Sequence, residues 1–342
     1  MYKISVIIPV YNAENTIERA INSVINQTIG FDNIELILVD DNSSDNSKKI
    51  IKKYSDSYPN IVSFFSKENH GYPGFGRNFG IENSNSKFIM FMDNDDKYDC
   101  NICKILYDNL IKYNADIVCC DFKDIDMETN YIYRGNKNYP NNYEIIEYES
   151  DFIYYPNVLI WNKIFKKSII QENNIKFVEK MDNEDSLFSL EYFLNINSLI
   201  DVQNYYGYIH YISGNNLSLP SFKYTIGVLK SYYVINSLFN QYSMEYNIYE
   251  IFKGRINMTL ERCVLMNDAN FDKIQYVIQE LYDFEKYLGI SKIKLNMIIL
   301  TFINILILKK YLYLSSIFIY FLNKLARNNL IKNIYRKLFS KH

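Results

Sequence analysis

The first hundred residues alternate between short apolar runs and amphipathic segments, and this alternation constrains the fold more than any other feature of the chain. Four runs rich in β-branched and apolar residues have the length of buried strands: Ile4–Val10, Ile34–Val39, Ile61–Phe65 and Phe88–Met92. The segments between them carry apolar residues at helical spacing. The sequence therefore predicts an α/β domain, doubly wound on a mostly parallel sheet with right-handed crossovers.

Helices are predicted between these strands, and polar residues follow the strands. The first helix extends from about Ala13 to Gln27 with Asn12 as its N-cap, and a later one covers Gly74–Asn83. The polar residues at the strand ends are Tyr11-Asn12, Asp40-Asp41 and Asp93-Asn94-Asp95-Asp96. Because ligands in such sheets bind outside the carboxyl ends of the strands, these side chains predict a pocket rich in carboxylates.

Composition and missing motifs narrow the function. The chain has 342 residues, a net charge of −2 and few glycines (11) and prolines (6), which excludes collagen-like and low-complexity classes. Without a basic surplus, general nucleic-acid binding is not expected. No G-x-G-x-x-G follows the first strand and no P-loop motif occurs, so dinucleotide-binding and P-loop enzymes are disfavoured.

The C-terminal part differs sharply in charge from the rest. From Lys286 to His342 there are 11 Lys or Arg and no acidic residue, which leaves 26 of the 37 basic and all 39 acidic residues before it. Two apolar stretches, Leu295–Leu308 and Tyr311–Leu322, are each shorter than the roughly 20 residues that span a bilayer. The pattern favours a helical region that lies on an anionic membrane surface, with packing on protein or on another subunit as the alternative.

Cysteine usage and the N-terminus indicate the compartment. The five cysteines are an odd number, and the pair Cys100 and Cys103 has no second pair at zinc-site spacing, so buried free thiols are expected. The opening apolar run is short and leads directly into a turn, unlike a signal peptide. We expect a cytoplasmic protein, peripheral on the inner face of the cell membrane.

Two acidic clusters can support chemistry. If the strand pattern continued past Met92, Asp93 and Asp95 would lie on one side, as hard oxygen ligands for Mg²⁺ or Mn²⁺. Asp185, beside Glu184 before the apolar segment at Ser186, either caps a helix or acts as a general base.

Seven motifs occur in the order and spacing of one enzyme family. They are Ser5–Asn12, Ser23–Thr28, Val39–Asp45, Gly76–Gly80, Phe91–Asp96, Trp161–Lys163 and Glu184–Asp185. In this the chain resembles the family 2 inverting glycosyltransferases with the GT-A fold, over roughly residues 3 to 215. The resemblance implies a nucleotide-sugar glycosyltransferase domain over residues 1–215, followed by the helical region over 221–342.

The resemblance also implies roles for individual residues. Tyr11 and Asp41 match residues that hold the uracil of a UDP-sugar, and the backbone near Pro9 lines the same slot. Asp93 matches a contact to the ribose or donor sugar, and Asp95 the metal ligand for Mn²⁺ or Mg²⁺.

Further matches concern the phosphates, the base and the acceptor. Arg77 matches a contact to the nucleotide or its phosphates, with a salt bridge as the alternative. Asp185 matches the catalytic base. Trp161, the only tryptophan, matches an aromatic residue that bounds the acceptor, with core packing as the alternative. His210 stands where the family pattern has an arginine; it contacts phosphate or metal, or is structural.

Together these features predict a metal-dependent, non-processive enzyme. It would transfer a sugar from a nucleotide-sugar donor, with UDP expected, to a glycan or lipid-linked glycan acceptor in surface polysaccharide biosynthesis. Direct displacement by the acceptor hydroxyl would invert the anomeric centre. Two alternatives remain: a sugar nucleotidyltransferase, and a catalytically inactive transferase-like binding protein. The sequence leaves open whether the protein forms a homo-oligomer.

Overall fold

The chain divides into two compact units, Met1–Ser213 and Gly214–His342. The computed structural model describes residues 2–134, 143–150, 152, 155, 157–212, 221–241, 252, 256, 259, 263, 266, 268–288 and 319–320. In the first unit the described strands form one sheet. They are β1 (Ile4–Val10), β2 (Ile34–Asp40), β3 (Ile61–Phe65), β4 (Phe88–Phe91), β5 (Lys97–Tyr98), β6 (Ile117–Asp126), β7 (Ile132–Arg134), β8 (Glu144–Tyr148), β9 (Lys163–Lys166) and β10 (Leu199–Ile212).

The sheet has a parallel half and a mixed half. Its strand order is β3-β2-β1-β4-β9-β6-β10-β5, with β7 paired to β6 and β8 to β10. Strands β3, β2, β1 and β4 are mutually parallel, and β9 inserts antiparallel between β4 and β6. All residues of β1 and β2 are buried, as expected for strands covered on both faces. This confirms the predicted α/β class with a mostly parallel sheet.

Helices connect the strands of this unit and pack against the sheet. They are α1 (Ile17–Ile25), α2 (Ser47–Ser57), α3 (Pro73–Asn83), α4 (Ile102–Tyr113), α5 (Lys167–Glu172) and α6 (Glu184–Phe193). The predicted start of α1 at Ala13 is wrong. The backbone N–H groups of Ala13 and Glu14 donate instead to Ser47 Oγ (2.8 Å) and Asp45 Oδ2 (3.0 Å), so residues before α1 are tied to the start of α2 and to the loop before it.

Two other local predictions also differ from the structure. Asn12 does not cap α1: its φ is 47°, and its side chain accepts a hydrogen bond from Ser44 N at 2.8 Å. Strand β4 ends at Phe91, and the residues after it form a turn in which Asp96 N donates to Asp93 O at 3.3 Å. The alternation of a strand therefore does not place Asp93 and Asp95.

The described part of the second unit is mainly helical. Helices α7 (Phe222–Gln241) and α8 (Phe271–Tyr287) belong to it, and Phe252, Ile256, Thr259 and Cys263 are helical and buried at spacings of four, three and four. Phe284 of α8 packs edge-on to Phe252 with centroids 5.0 Å apart. The apolar stretches 295–308 and 311–322 lie outside the described residues apart from Ile319 and Tyr320. Within the described ranges, no helix has the length and apolarity needed to cross a membrane.

Candidate active site

The carboxyl ends of β1, β2 and β4 meet at one edge of the sheet because these strands are parallel. Val10 pairs with Asp40, and Ile7 pairs with Phe91. The loops after β1 and β2 are joined further by Asn12 N, which donates to Ser43 Oγ at 2.9 Å. The predicted pocket residues that follow these strands therefore lie along one rim.

Tyr11 and Asp41 lie next to each other on this rim, as the sequence predicts. Tyr11 is 50% exposed, whereas Asp41 is buried and its backbone N–H donates to Val10 O at 2.8 Å. The Asp41 carboxylate accepts hydrogen bonds from the backbone N–H groups of His70 (2.9 Å) and Gly71 (3.2 Å), and its Oδ1 lies 2.6 Å from His70 Nδ1. The His70 ring stacks on Phe75 with centroids 3.6 Å apart. This carboxylate is thus held rigidly beside an exposed aromatic ring.

Helix α3 approaches β1 closely enough to carry Arg77 to the rim. A Cβ added at Gly76 would lie 3.0 Å from Cβ of Pro9, and one added at Gly80 would collide with the Ile7 side chain. Glycine at these two positions therefore allows the helix to pack directly on the strand. Pro9 also accepts a hydrogen bond on its carbonyl oxygen from Asn94 Nδ2 at 3.0 Å, so the backbone near Pro9 faces the loop after β4.

Arg77 is buried and joins two parts of the site. Its Nη2 donates to Asp93 Oδ1 at 2.8 Å, and its Nη1 donates to Glu184 Oε1 at the start of α6. Burial would lower the pKa of Arg77, but the charges of Asp93, Glu184 and Asp185 raise it overall. The guanidinium therefore stays charged and links the loop after β4 to the helix that bears Asp185. The salt-bridge alternative for Arg77 is present in the structure.

The turn Asp93–Asp96 is anchored through its last residue. Asp96 is fully buried, and its carboxylate accepts hydrogen bonds from Tyr208 OH (2.5 Å) and Tyr211 N (2.8 Å). The Tyr208 hydroxyl also accepts a hydrogen bond from Asp93 N at 3.2 Å. Arg19 donates to the carbonyl oxygen of Asp95. These contacts leave the Asp93 side chain one-third exposed (33%).

In this turn, burial and the nearby acidic side chains make the charged carboxylate form less favourable. Burial and the charge of Asp93 raise the pKa of Asp95, and burial raises the pKa of Asp96 well above its usual range. Among the described residues, no group of three or more His, Cys, Asp or Glu side chains is arranged to hold a metal ion. Mg²⁺ needs only one or two carboxylates when water and substrate phosphates complete its shell, so Asp95 with Asp93 fits such a site.

His210 is a cation close to this turn. Burial would lower the pKa of His210, but the hydrogen bond to Asp124 and the charges of Asp96 and Asp124 outweigh it and raise the pKa to about 9. His210 Nδ1 lies 2.9 Å from Asp124 Oδ1. A doubly protonated imidazole has only donors, so in this state His210 suits an anion such as phosphate better than a metal ion.

Trp161 lies in the interior beside β10. Its side chain is 6% exposed, stacks on Tyr208 with centroids 4.0 Å apart, and contacts the edge of Phe122 at 4.8 Å. The more distant His210 ring lies nearly parallel to it at 6.0 Å. Trp161 therefore packs against the site residues of β10, and its role toward an acceptor stays a prediction.

Helix α6 begins at Glu184 and presents two adjacent carboxylates in its first turn. Asp185 Oδ1 accepts a hydrogen bond from Ser186 N at 2.7 Å, within the first turn, where the helix dipole favours negative charge. Glu184 is buried, and burial raises its pKa to about 7 although Arg77 opposes this shift. The structure thus places the predicted base one residue from the ion pair that reaches Asp93.

Sequence reasoning missed three residues that shape the site. His70 holds Asp41, Glu184 holds Arg77, and Tyr208 holds Asp96. Each contact joins residues separated by at least 29 positions, so no local spacing reveals it. The only available signal was the acidic pair at Glu184 and Asp185, of which one member was assigned a role.

Comparisons with known proteins show what this chain is similar to. Residues 5–173 match the profile described as Glycosyl transferase family 2. The poly(ribitol-phosphate) beta-N-acetylglucosaminyltransferase TarP of Staphylococcus aureus (strain N315) is 32% identical over 230 residues, which cover 64% of this chain and 67% of that protein. The minor teichoic acid biosynthesis protein GgaA of Bacillus subtilis (strain 168) is 47% identical over 107 residues, or 30% of this chain and 24% of that protein.

A solved structure shares the fold. The crystal structure of S. aureus TarS 1–349 in complex with UDP-GlcNAc superposes with a TM-score of 0.55 and 21% identity, over 96% of this chain and 92% of that one. Several relatives are much longer than the matched region: the matches cover 24% of GgaA, 10% of GgaB from B. subtilis and 59% of a cholesterol galactosyltransferase from Borreliella burgdorferi.

Proposed function

The chain belongs to glycosyl transferase family 2, and from this premise we propose that it moves a sugar from a UDP-sugar to a hydroxyl of a glycan or lipid-linked glycan acceptor. Relatives named as teichoic acid proteins and poly(ribitol-phosphate) glycosyltransferases support an acceptor in surface polysaccharide biosynthesis. The complex of TarS with UDP-GlcNAc supports the donor class. Family membership also removes the nucleotidyltransferase alternative.

The observation that carries this proposal is the pair of hydrogen bonds made by Arg77. They join Asp93, on the turn assigned to the donor, to Glu184, the neighbour of the proposed base. A transferase needs its donor diphosphate and its base at one place, since the attacking hydroxyl must meet the anomeric carbon there. Arg77 provides that connection with a charge that burial and two carboxylates fix in position.

In this proposal, the rim residues bind the nucleobase and Asp185 acts as the base. Tyr11 and the backbone near Pro9 would bound the nucleobase, and Asp41, held by His70, would accept a hydrogen bond from its imide N–H. Asp185 would take the proton of the acceptor hydroxyl as it attacks. Inversion at the anomeric carbon follows from a single direct displacement.

The metal, the phosphates and the acceptor complete the proposal. Mn²⁺ or Mg²⁺ bound by Asp95, with Asp93 beside it, would offset the charge of the leaving diphosphate. His210, charged at neutral pH, would donate to the same phosphates. Trp161 would form the inner layer of the acceptor side. The basic, apolar C-terminal sequence supports a place on the inner membrane surface.

The experiment that tests the proposal measures donor hydrolysis across a panel of nucleotide sugars, with Mn²⁺, Mg²⁺ or EDTA. Asp95→Ala and Asp185→Asn are compared with Asp108→Asn, an exposed carboxylate on α4 paired with Lys104. Metal-dependent turnover of one UDP-sugar, lost in Asp95→Ala and kept in Asp108→Asn, is expected. If the protein neither binds UDP in calorimetry nor cleaves any donor, the proposal is refuted and the inactive alternative stands.

A further inference from the structure

We propose that Lys163 is a positioning residue for the transfer reaction: its buried ammonium group fixes the segment 157–162, and through Trp161 and Tyr208 this segment holds the turn Asp93–Asp96. The importance of that turn rests on the proposed function above. The contacts that make up the connection are independent of it.

Lys163 is an unusual buried residue. It is fully buried at the start of β9, and it forms no ion pair with a carboxylate of the described residues. Its Nζ donates instead to Asn157 Oδ1 (2.9 Å), Leu159 O (2.5 Å) and Asn162 Oδ1 (2.9 Å). An ammonium group has three donors, so all are used, and all three acceptors belong to one six-residue segment.

The positive charge is what makes this arrangement specific. Burial lowers the pKa of Lys163 to about 8, so the group is still mainly protonated at neutral pH. A buried charge without hydrogen bonds is strongly unfavourable, and the three oxygens of segment 157–162 must therefore remain around it. A neutral side chain of the same length would remove the ammonium donor from all three oxygens, leaving Asn157 Oδ1 only its hydrogen bond from Leu159 N at 3.3 Å, and would release the segment.

The same segment is fixed to strand β6 next to Trp161. Asn162 Nδ2 donates to the carbonyl oxygen of Cys120, and Cys120 N donates to Asn162 O at 3.1 Å. Trp161 is thus held between a residue bound to β6 and a segment bound to Lys163. Its indole can keep one position only while both attachments persist.

Through its contact with Tyr208, Trp161 also fixes residues of the turn Asp93–Asp96 on the donor side of the site. Its ring stacks on Tyr208 at 4.0 Å with an interplanar angle of 21°. The Tyr208 hydroxyl donates to Asp96 Oδ2 at 2.5 Å and accepts from Asp93 N at 3.2 Å. A shift of the indole therefore displaces the hydroxyl that anchors both ends of the turn.

If Trp161 holds the turn Asp93–Asp96, loosening Trp161 should impair a different step of the reaction than if Trp161 contacted only the acceptor. If Trp161 acted only on the acceptor, loosening it would raise the acceptor KM and leave donor hydrolysis in water unchanged. If it holds the turn, donor hydrolysis without acceptor falls, because displacements of about 1 Å at a reacting centre cost on the order of 100-fold in rate. Binding of UDP, which also uses the rim at Asp41, changes much less.

The test compares Lys163→Met with Lys166→Met, a matched lysine three residues along β9 that pairs with Asp116 near the surface. Because Trp161 is the only tryptophan, its emission maximum and acrylamide quenching report the position of the segment directly. Donor hydrolysis without acceptor and UDP affinity by calorimetry are measured on the same samples.

In Lys163→Met we expect red-shifted emission, at least about twofold faster quenching, and a kcat for hydrolysis about 10- to 100-fold lower. The UDP affinity, measured in EDTA so that metal bound by the turn does not contribute, should change by less than about threefold, and Lys166→Met should match the parent in all readouts. Unchanged emission in a folded Lys163→Met protein would overturn the proposal, as would shifted emission with full hydrolysis activity.

A milder variant covers the case in which Lys163→Met does not fold. Asn157→Ala removes one of the three acceptors and keeps the ammonium group, so it should shift emission and hydrolysis in the same direction by a smaller amount. Emission and hydrolysis equal to the parent in Asn157→Ala would count against the proposal. If the parent neither binds UDP nor hydrolyses any donor, the proposed function fails, whereas the emission measurements still decide whether Lys163 holds Trp161.

Discussion

Replacing Arg77 by methionine should destabilise the first unit strongly, because it leaves two carboxylates near each other without their shared counter-ion. Arg77 is only 4% exposed, and its guanidinium contacts both Asp93 and Glu184. Methionine keeps most of the side-chain volume and the contact surface toward Phe177. The variant therefore isolates the loss of charge and hydrogen bonds from the loss of packing.

The magnitude follows from the geometry. At the 2.8 Å separation of Arg77 Nη2 and Asp93 Oδ1, with an effective dielectric constant near 20, the Coulomb attraction is about 6 kcal/mol before desolvation is subtracted. Measured losses on removing one partner of a buried pair are about 3–5 kcal/mol. We expect Arg77→Met to lower the free energy of unfolding by about that amount.

Urea unfolding followed by Trp161 fluorescence is the suitable assay, because the only tryptophan is buried in the same unit. Lys104→Met, which removes an exposed pair with Asp108, should change stability by less than about 0.5 kcal/mol. Arg77→Met combined with Glu184→Met should be less destabilised than the two single variants together, since one unpaired charge is removed. A loss below about 1 kcal/mol for Arg77→Met would refute the reasoning from buried, uncompensated carboxylates.

Three further predictions concern other contacts. Tyr208→Phe should lose about 1–3 kcal/mol of stability in urea unfolding, because the buried Asp96 loses a donor; stability equal to the parent would contradict this. Gly80→Ala should lose about 1–3 kcal/mol, since the new methyl group meets the side chain of Ile7; a gain, as in an open helix site, would show that α3 can move away. Burial raises the pKa of Glu191 to about 7, so its charge is unfavourable in the folded state. Glu191→Gln should have little effect on Tm near pH 4, and its stabilising effect should grow as the pH rises from about 4.5 through 7; equal effects at pH 4 and pH 8 would rule out this titration.

The sequence predicts the parallel half of the sheet well, for a physical reason. Strand β1 and strand β3 have the predicted bounds; β1 is buried along its whole length, as expected for a central parallel strand, whereas β3 lies at the edge of the sheet and only its first residue is buried. The start of α1 was not predictable from local propensity. The backbone donors of Ala13 and Glu14, which precede α1, are bound by Ser47 at the start of α2 and by Asp45 in the loop before it, and such tertiary contacts override a favourable N-cap residue.

In the candidate site, too, local motifs predicted some residues, and contacts between distant segments determined others. Residues of local motifs, such as Tyr11 and Asp41, were predicted and lie together on the rim. The partners that hold site residues came from distant segments: His70 reaches back to Asp41, and Glu184 reaches back to Arg77. A motif indicates which side chains are candidates for contact with a ligand, whereas the residues that hold them in place depend on how strands and helices pack in three dimensions.

The balance of charge in the site leads to a prediction about a divalent cation. Six carboxyl groups gather there with three basic groups: Asp93, Asp95, Asp96, Asp124, Glu184 and Asp185 with Arg19, Arg77 and His210. Burial, together with this crowding, raises the pKa of Asp95, and a bound cation would lower it again. Metal binding should therefore release protons in lightly buffered solution at any pH at which Asp95 is partly protonated, and less so in Asp95→Asn. It should also raise the affinity for UDP, because a diphosphate otherwise meets a rim with net negative charge. Equal UDP affinity in EDTA and in Mn²⁺, with no proton release, would show that Arg77 and His210 suffice for the diphosphate.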